Sequence, residues 1–434
     1  MAISGRICAL AGTLVLSSIA YADDTSTNFD NLFYEHIPSV ITAPLFGDQS
    51  AQDGSDLLYG YSATNHDLQL LNAHQSFTNY LTKKEVTNDR PVLVLGGAFE
   101  GNFIMNDESA GSTDFNSSIG TAELETAAFI NPWVSGFISL DYQNLPTVTG
   151  NRNPQNTIYL NMGYATIGNL DVSPFYLSMG KMYMPFGRYN TAMWSTPETA
   201  SLAQIQDTAT LLGYSKNGVY AEAFAYNTYQ TSNNAFSEEG GANLGYKNSD
   251  GSYPFEIGAS YVSNMADSLG MRDTGYGDDV STDFEGFEVN NVDLVHDVPG
   301  ANVYGSVGIR QFTLIGEYFT ATESFDQKDL SFNNEGATPK ALQAELDYSF
   351  TAYNKPSLIG FLYGETWESL ALNLPKESYN FVASTSVWRD TIQAVEYSYN
   401  KNYSTSDSAT GDNLDGPSAG GHSNVVTMVM GFYF

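Results

Sequence analysis

Cysteine is almost absent from this sequence of 434 residues. The single one, Cys8, lies in the first apolar stretch, well upstream of the small-residue motif Ala20-Tyr21-Ala22. A lipoprotein signal would place its cysteine at the cleavage point, so Cys8 does not fit that role. Beyond this stretch the chain has no thiol. Disulfides, zinc–thiolate sites and cysteine nucleophiles are therefore excluded there.

Basic residues are also scarce, with 17 Lys and Arg against 49 Asp and Glu and a formal net charge of −32. Nucleic-acid binding needs Lys and Arg for phosphate contacts, so this charge excludes nucleic acid as a partner. Disordered acidic chains have few aromatics, whereas this one has 29 Tyr and 25 Phe. A chain rich in Tyr, Phe and Gly and poor in Lys fits an outer-membrane barrel.

Long apolar runs are missing as well. Residues 1–22 combine Arg6, the apolar stretch Ile7 to Leu16 and the Ala20-Tyr21-Ala22 motif, and together they indicate a secretory signal peptide. An N-terminal anchor is the alternative interpretation. No later run approaches the roughly 20 residues of a membrane helix. Because only helices and closed barrels satisfy every backbone group in lipid, a membrane protein of this sequence must be a barrel.

Residues 23–91 precede any regular alternation and form a predicted periplasmic extension. Apolar residues at spacings of three and four (Leu70, Ala73, Phe77 and Leu81) predict a helix over 67–84. A helix packed on the barrel end, or a mobile tail, is preferred over a small plug or a helix that makes a homo-oligomer. The 69 residues from 23 to 91 are too few for the large plug domain of energy-coupled receptors.

From Val92 onward, apolar and polar residues alternate with period two. The pattern predicts an all-β fold, a transmembrane antiparallel up-and-down β-barrel of about 16 strands over 92–434. The predicted strands are 92–104, 119–129, 133–143, 157–167, 174–183, 208–215, 218–227, 240–247, 253–263, 301–309, 312–320, 340–350, 356–366, 378–388, 391–400 and 424–434. Most are close to the roughly 9–11 residues that cross a bilayer when tilted.

Short and long connections alternate along the predicted barrel. The long ones are 105–118, 144–156, 184–207, 228–239, 264–300, 321–339, 366–377 and 401–423. Outer-membrane barrels have short periplasmic turns and long external loops. A soluble β-sandwich is the alternative, but nothing in that fold requires short and long connections to alternate. We therefore expect both termini in the periplasm of a Gram-negative bacterium and the long loops outside.

The last predicted strand ends in an apolar stripe of five residues on one face. Its members are Val426, Met428, Met430, Phe432 and Phe434, the last of which is the C-terminus. Such an ending is similar to the signal that the barrel assembly machinery reads. Phe432 and Phe434 are the candidate assembly signal, and outer-membrane lipid is the expected surrounding.

A barrel of this size leaves an aqueous lumen, and we expect the polar faces of the strands to line it. The candidate lumen residues are Glu100, Glu123, Glu125, Asp141, Glu222, Glu256, Glu345, Asp347 and Glu396. Rings of acids favour cations, although these carboxylates could equally serve only to hydrate the wall. In sixteen-stranded porins the third external loop often folds inward. By that analogy the constriction candidates are Lys181, Arg188, Tyr189, Trp194, Glu198 and Asp207; an ordinary external loop is the alternative.

Catalytic and metal-binding patterns are weak. His36, His66 and His74 precede the barrel, His296 and His422 fall in predicted loops, and no nucleophile motif accompanies them. The acid-rich loop 264–300 and the segment Asp412 to Gly416 match a calcium-binding loop only incompletely. We predict no enzyme, no cofactor and no metal site, and interpret the acidic loop as a solvated one.

Several short strings resemble the LbtU-type siderophore porins. Before the barrel these are Ala43-Pro44-Leu45-Phe46-Gly47, Ser55-Asp56-Leu57-Leu58 and Asp67-Leu68-Gln69-Leu70-Leu71. In the barrel they are Gly96-Gly97-Ala98-Phe99-Glu100-Gly101, Gly180-Lys181-Met182-Tyr183-Met184-Pro185-Phe186-Gly187 and Ala209-Thr210-Leu211-Leu212-Gly213-Tyr214. The resemblance implies a sixteen-stranded barrel that takes up a ferric siderophore without the TonB-coupled machinery. It transfers no ligand-binding residues.

The net charge conflicts with that cargo. A carboxylate siderophore is anionic, and like charges oppose its entry, unless Lys181, Arg188 and Arg310 form a local basic path. Three functions therefore stay open: a passive porin for a small iron chelate, a general or cation-preferring porin, and a surface adhesion or recognition barrel.

Overall fold

A computed structural model describes residues 40–42, 63–83, 91–109, 113–145, 155–227, 238–249, 253–275, 294–410 and 420–434. The predicted signal peptide lies outside these residues. The central feature is one closed antiparallel β-barrel of sixteen strands, in which each strand pairs with its neighbour in sequence and the last pairs with the first. The predicted fold class and strand number are confirmed.

The strands are numbered here in chain order. They are β1 Val92–Glu108, β2 Thr113–Asn131, β3 Val134–Leu145, β4 Gln155–Gly168, β5 Phe175–Tyr183, β6 Gln206–Lys216, β7 Val219–Asn227, β8 Glu238–Asn248, β9 Phe255–Val262, β10 Gly300–Ile309, β11 Phe312–Ala321, β12 Lys340–Ala352, β13 Lys355–Trp367, β14 Glu377–Thr385, β15 Thr391–Lys401 and β16 His422–Tyr433.

Two details of the predicted connections are wrong. The predicted long connection 105–118 is mostly strand, because β1 continues to Glu108 and β2 begins at Thr113. The fourteenth strand ends at Thr385 rather than at 388, where the chain bends towards Arg389 and Asp390. The remaining order holds: seven short connections lie at one end, called here the short-turn end, and the longer loops lie at the other, the loop end.

Three helices accompany the barrel: α1 His66–Lys83, α2 Glu198–Ala203 and α3 Leu269–Gly275. Single 3-10 turns cover Ala63–Asn65, Met265–Asp267 and Leu370–Leu372. Short strands Ser331–Phe332 and Glu335–Gly336 pair within one loop. No helix of the described part is both long and apolar enough to cross a membrane.

The outer face of the barrel carries an unbroken apolar belt. Each of the sixteen strands contributes at least one large apolar side chain that is more than a third exposed, including Ile138, Met179, Leu212, Leu244, Ile257, Val303, Leu314, Leu346, Phe361, Phe381, Val395 and Met428. The alternate positions are mostly buried towards the lumen. A closed barrel with this exterior is a membrane-embedded barrel, since its surface matches lipid and its backbone groups are paired.

The last strand is joined to the first by backbone hydrogen bonds and by a side-chain contact on the inner face. Phe434 and Gly97 exchange two backbone hydrogen bonds, of 2.9 and 3.1 Å. On the inner face the Tyr433 hydroxyl donates to Glu100 at 2.9 Å. Met428, Met430, Phe432 and Phe434 point outward, as the sequence pattern predicts. Beyond the end of β16, the short strand Val40–Thr42 pairs in parallel with residues 93–95 of β1.

Candidate functional site: the inward loop and its anchors

The third long connection, residues 184–205, folds into the lumen and is called here the inward loop. The bend at which the chain turns into the lumen requires a glycine at position 187. Gly187 has φ +85°, and a Cβ there would lie 2.6 Å from Oε1 of Glu317. Tyr189 is also left-handed, at φ 54°, and its hydroxyl donates to the Phe186 carbonyl. The segment 186–189 therefore makes a tight bend that brings its backbone N–H groups against the wall.

The first anchor of the inward loop is Glu317 on β11. Its two carboxylate oxygens accept the backbone N–H of Arg188 at 2.9 Å and that of Tyr189 at 2.7 Å. Asn302 on β10 donates to the same carboxylate at 2.8 Å. Ser260 on β9 accepts the backbone N–H of Gly187 at 3.0 Å. These bonds satisfy donors that would otherwise be buried without partners.

Further anchors follow around the wall. Gln343 on β12 donates to the Asn190 carbonyl at 2.8 Å. Glu345, two residues along, accepts the backbone N–H of Ala192 at 2.6 Å. Glu396 on β15 accepts the N–H of Trp194 at 2.5 Å. The inward loop leaves β5 and is bound by β9, β11, β12 and β15, so it crosses the lumen.

Apolar contacts reinforce both halves of the inward loop. Phe186 packs edge-on against Phe319 with ring centroids 5.5 Å apart. Farther along, Met193 is buried in a cluster with Leu358, Leu362 and Val382 of the opposite wall. The inner wall thus presents carboxylates for the loop backbone and apolar patches for its side chains.

Arg188 lies beside the first anchor and is buried rather than open to the lumen. Its guanidinium donates from Nε to Glu256 at 2.9 Å. The same group lies 5.1 Å from the centroid of the Tyr220 ring and 4.8 Å from that of Tyr304. An arginine between two aromatic faces, with its charge matched by a carboxylate, is held rigidly. We call Arg188, Glu256, Tyr220 and Tyr304 the arginine clamp.

The clamp tyrosines occupy space left by glycines on neighbouring strands. Tyr220 lies directly opposite Gly245 and Tyr304 directly opposite Gly258. A Cβ at either glycine would overlap the facing ring. Tyr176 and Gly213 repeat the arrangement between β5 and β6. A missing side chain on one strand therefore lets a large ring lie flat on the wall.

Four of the six predicted constriction residues lie on the inward loop, and the other two, Lys181 on β5 and Asp207 on β6, lie on the strands that flank it. Arg188, Tyr189, Trp194 and Glu198 lie on the inward loop, where Arg188, Tyr189 and Glu198 are buried and Trp194 is partly so. Asp207 lies at the start of β6 and pairs with Arg272 at 3.2 Å. The Lys181 ammonium donates to the Leu160 carbonyl at 2.8 Å. Arg310 is in a short turn, so Lys181, Arg188 and Arg310 do not converge on a basic path.

The nine predicted lumen acids alternate with the exposed apolar residues of their strands, and so face inward. Eight are buried and Glu256 is partly exposed. Glu256, Glu345 and Glu396 bind the inward loop, as described above. Glu222 accepts from the Tyr176 hydroxyl at 2.9 Å and from Asn243 at 2.7 Å. Glu123, Glu125 and Asp141 lie together around Ser139, and Asp347 is buried beside Glu345. Many of these acids therefore hold the interior together instead of facing open water.

Helix α1 lies in the short-turn mouth of the barrel, against the inner face of its wall. The His74 ring stacks on Phe129 with centroids 4.5 Å apart, and His66 contacts Phe137 at 4.2 Å. The Asp67 carboxylate accepts from Ser178 at 2.6 Å. Just before the helix, Thr64 donates to the Gly187 carbonyl at 2.8 Å. The preferred prediction of a helix on the barrel end is thus incomplete, because the N-terminal segment reaches inside and contacts the inward loop.

Burial of this helix perturbs two titrating groups. It lowers the pKa of His74 to about 4. It raises the pKa of Asp67, an effect that the hydrogen bond from Ser178 opposes. Desolvation disfavours the charged form in both cases. The docked helix therefore favours neutral His74.

Sequence reasoning missed Glu317, the anchor at the start of the inward loop. A signal was present, since Glu317 is the only charged residue in β11 and a lone acid in an otherwise uncharged strand indicates a specific partner. Ser260 and Gln343 carry no comparable signal. Within the described ranges no group of three or more His, Cys, Asp or Glu side chains is arranged to hold a metal ion.

The fold and the crossed lumen define a porin-like outer-membrane β-barrel. Among solved structures, OmpF of Salmonella typhi in complex with daunomycin has a TM-score of 0.52 at 12% identity, covering 80% of this chain and 99% of that one. OprB of Pseudomonas putida has a TM-score of 0.50 at 12% identity, with 82% and 96% covered. These likenesses concern the fold.

The chain belongs to the UPF0422 family. It is 36% identical over 409 residues to a UPF0422 protein of Legionella pneumophila strain Lens, covering 91% of this chain and 76% of the relative. A UPF0422 protein of Coxiella burnetii is 35% identical over 412 residues, with 92% and 84% covered. No family model matches the chain.

Proposed function

We propose that this protein is a passive outer-membrane channel for a small iron chelate such as a ferric siderophore. The observation that carries the channel function is the inward loop, which crosses a closed barrel and is tied to four other strands. A loop fixed in this way sets an aperture, because its position is determined by the wall and not by its own flexibility. In this proposal the short turns face the periplasm.

The iron chelate rests on the resemblance of the sequence strings to siderophore porins. Two of those strings lie at structurally demanding points. Gly180 to Gly187 carries the chain from β5 into the inward loop, and Ala209 to Tyr214 includes Gly213, over which the Tyr176 ring lies. The first string therefore helps to build the aperture, and the second shapes the inner wall of the barrel.

The domain assignment also belongs to this proposal. Residues 1–22 are a signal peptide, 23–91 a periplasmic extension and 92–434 the barrel. Helix α1 and Thr64 narrow the short-turn mouth, and the helix must shift for a bulky solute to pass. A variant lacking residues 63–83 should therefore show higher conductance in planar bilayers than the full chain. Equal conductance of the two proteins would show that the helix does not lie in the permeation path.

The cargo is tested by uptake of labelled ferric siderophore into iron-starved cells that lack this protein. Complementation with the full chain should restore uptake, and a chain with Gly187→Val should not. A matched control is Gly101→Val, since a Cβ at Gly101 meets nothing within 4 Å. Unchanged uptake of every siderophore tried, in cells with and without the protein, would disprove the iron cargo while leaving the channel intact.

A cation-preferring diffusion porin is the second candidate. It is favoured by the exposed acids that predominate at the loop end, among them Asp107, Asp114, Glu323 and Glu335, because an acidic entrance attracts cations. Reversal potentials in a salt gradient measure this directly. A clear cation preference together with no effect on iron uptake would favour this candidate, and an anion preference would argue against it.

A further inference from the structure

Five consecutive short turns of the barrel each carry an exposed basic residue. They are Lys216 at the end of β6, Lys247 near the end of β8, Arg310 after β10, Lys355 at the start of β13 and Arg389 after β14. The five positions follow one another around the rim from β6 to β15, and we call them the basic arc. The first two turns carry no Lys or Arg, and helix α1 packs beside them.

Among the described residues, few acids compensate the charge of the basic arc at this end. The described residues of the seven short connections contain two acids, Asp171 and Asp390. Asp390 lies 3.4 Å from Arg389, whose side chain is still 67% exposed. Lys247 lies 3.8 Å from the inward-facing Glu256, its direct cross-strand partner, so it is turned towards the lumen mouth and contributes least to the outer rim. The loop end has the opposite character. Lys401 and Arg272 are paired there with Glu377 and Asp207, and acids predominate, among them Asp107, Glu108, Asp114, Glu323, Asp326, Glu335 and Glu368.

Exposed aromatic side chains stand beside four members of the arc. Tyr246 precedes Lys247, Phe312 follows Arg310 after one residue, Tyr353 precedes Lys355 by two, and Trp388 precedes Arg389. Their exposed fractions run from 38% for Tyr246 to 100% for Tyr353. Tyr and Trp rings concentrate where lipid headgroups meet water, and three of the four neighbours, Tyr246, Tyr353 and Trp388, are of these types. The basic arc therefore lies at headgroup level and does not project freely from the barrel.

We propose that the basic arc binds the headgroups of anionic glycerophospholipids in the periplasmic leaflet. This inference rests on the outer-membrane orientation proposed above. Phosphodiester groups attract Lys and Arg placed near a bilayer surface, and each such residue contributes roughly a fivefold preference for anionic lipid. The neighbouring aromatic side chains favour a lipid surface as the binding partner of the arc. Carboxylates of the cell wall, the alternative partner, lie in water and would not need aromatic side chains beside the basic residues. The arc would give the barrel a fixed depth and a preferred lipid shell along β6–β15.

The test replaces three arc residues together, in the variant Arg310→Gln/Lys355→Gln/Arg389→Gln. The control, Lys328→Gln/Lys340→Gln/Lys376→Gln, removes the same charge from the loop end. Both are placed in nanodiscs containing phosphatidylglycerol and phosphatidylcholine, and retained lipids are counted by native mass spectrometry. The wild type and the control should retain phosphatidylglycerol selectively. The arc variant should lose most of that preference, by up to about a hundredfold for three charges.

Two further measurements keep the proposal testable. If the arc variant fails to fold, raising the salt concentration of the wild type should abolish its preference, because screening weakens headgroup contacts at the surface. Equal loss of preference in the control variant, or no preference in the wild type, would overturn the proposal. The proposal would also be overturned if the arc variant lost co-sedimentation with peptidoglycan sacculi, or lost lipopolysaccharide binding, while it retained phosphatidylglycerol as the wild type does. Conductance and iron uptake are measured separately, so failure of the lipid site and failure of the channel are distinguishable.

Discussion

Glu317 on the barrel wall accepts a hydrogen bond of 2.7 Å from the backbone N–H of Tyr189 on the inward loop. The two residues are 128 positions apart in sequence. A second oxygen of the same carboxylate binds the neighbouring N–H of Arg188. One buried acid thus fixes the point at which the loop turns into the lumen.

Replacing Glu317 with Ala should release this end of the inward loop. Two buried backbone donors lose their acceptor, at a cost of roughly 1–3 kcal/mol each before rearrangement. The channel should fluctuate between states and conduct more on average, which single-channel recordings would show. The exposed loop residue Glu323 offers a control, Glu323→Ala, that should leave the recordings unchanged. Wild-type conductance in the Glu317 variant would mean that the other anchors suffice.

The arginine clamp should behave as a coupled unit. Arg188→Met leaves Glu256 with only the more distant Lys247, at 3.8 Å, as a cation. Breaking one side of a buried pair costs up to roughly 3–5 kcal/mol. Removing both charges with Arg188→Met/Glu256→Gln should recover part of this loss. A double-mutant cycle on urea denaturation of the barrel in detergent measures the coupling. Strictly additive single effects would show that the 2.9 Å contact contributes little.

The cross-strand pairing of Tyr220 with Gly245 should tolerate no added side chain. Gly245→Val forces the ring off the wall and disturbs the clamp, and overpacking of this kind costs roughly 1–3 kcal/mol. The expected result is a lower thermal unfolding temperature. Gly101→Val, at a strand glycine with open space, should have a much smaller effect. Similar shifts in the two variants would point to the strand backbone instead of the ring contact.

Docking of helix α1 should weaken in acid. The folded-state pKa of His74, about 4, lies below its ordinary value of 6.5. The unfolded or undocked state therefore binds more protons at low pH. The stability that neutral His74 contributes to docking is fully present above about pH 6.5 and is lost progressively towards pH 4. The loss amounts to at most about 3 kcal/mol. Asp67, whose pKa is raised, acts in the opposite direction because protonation favours its buried form.

Hydrogen–deuterium exchange over residues 63–83, corrected for the intrinsic effect of pH, measures this docking. Protection of the helix should fall between pH 6.5 and 4. The variant His74→Phe keeps an aromatic ring against Phe129 and has no group to titrate, so its protection should not fall in that range. An equal fall in both proteins would assign the pH dependence to another group.

Much of the barrel could be predicted from the sequence alone. Period-two alternation from Val92, an even strand number and alternating connection lengths are properties of each strand and its neighbours. They follow from covalent geometry and from the contrast between lipid and water. For the same reason the outward direction of Met428, Met430 and Phe432 was predictable. The error at 105–118 arose because polar residues such as Asp107 and Asp114 continue a strand pair beyond the apolar band, where periodicity carries no signal.

The interior was decided by the tertiary structure. The sequence identified inward acids, but it could not show that Glu345 and Glu396 bind backbone N–H groups of a loop that is 153 and about 200 residues away. Nor could it show that Arg188 is neutralised by Glu256, or that Gly245 makes space for Tyr220. Alternation fixes only the face to which a side chain points. The partner that it meets there depends on barrel closure, on strand register and on which loop enters the lumen, and these emerge only when all sixteen strands are assembled.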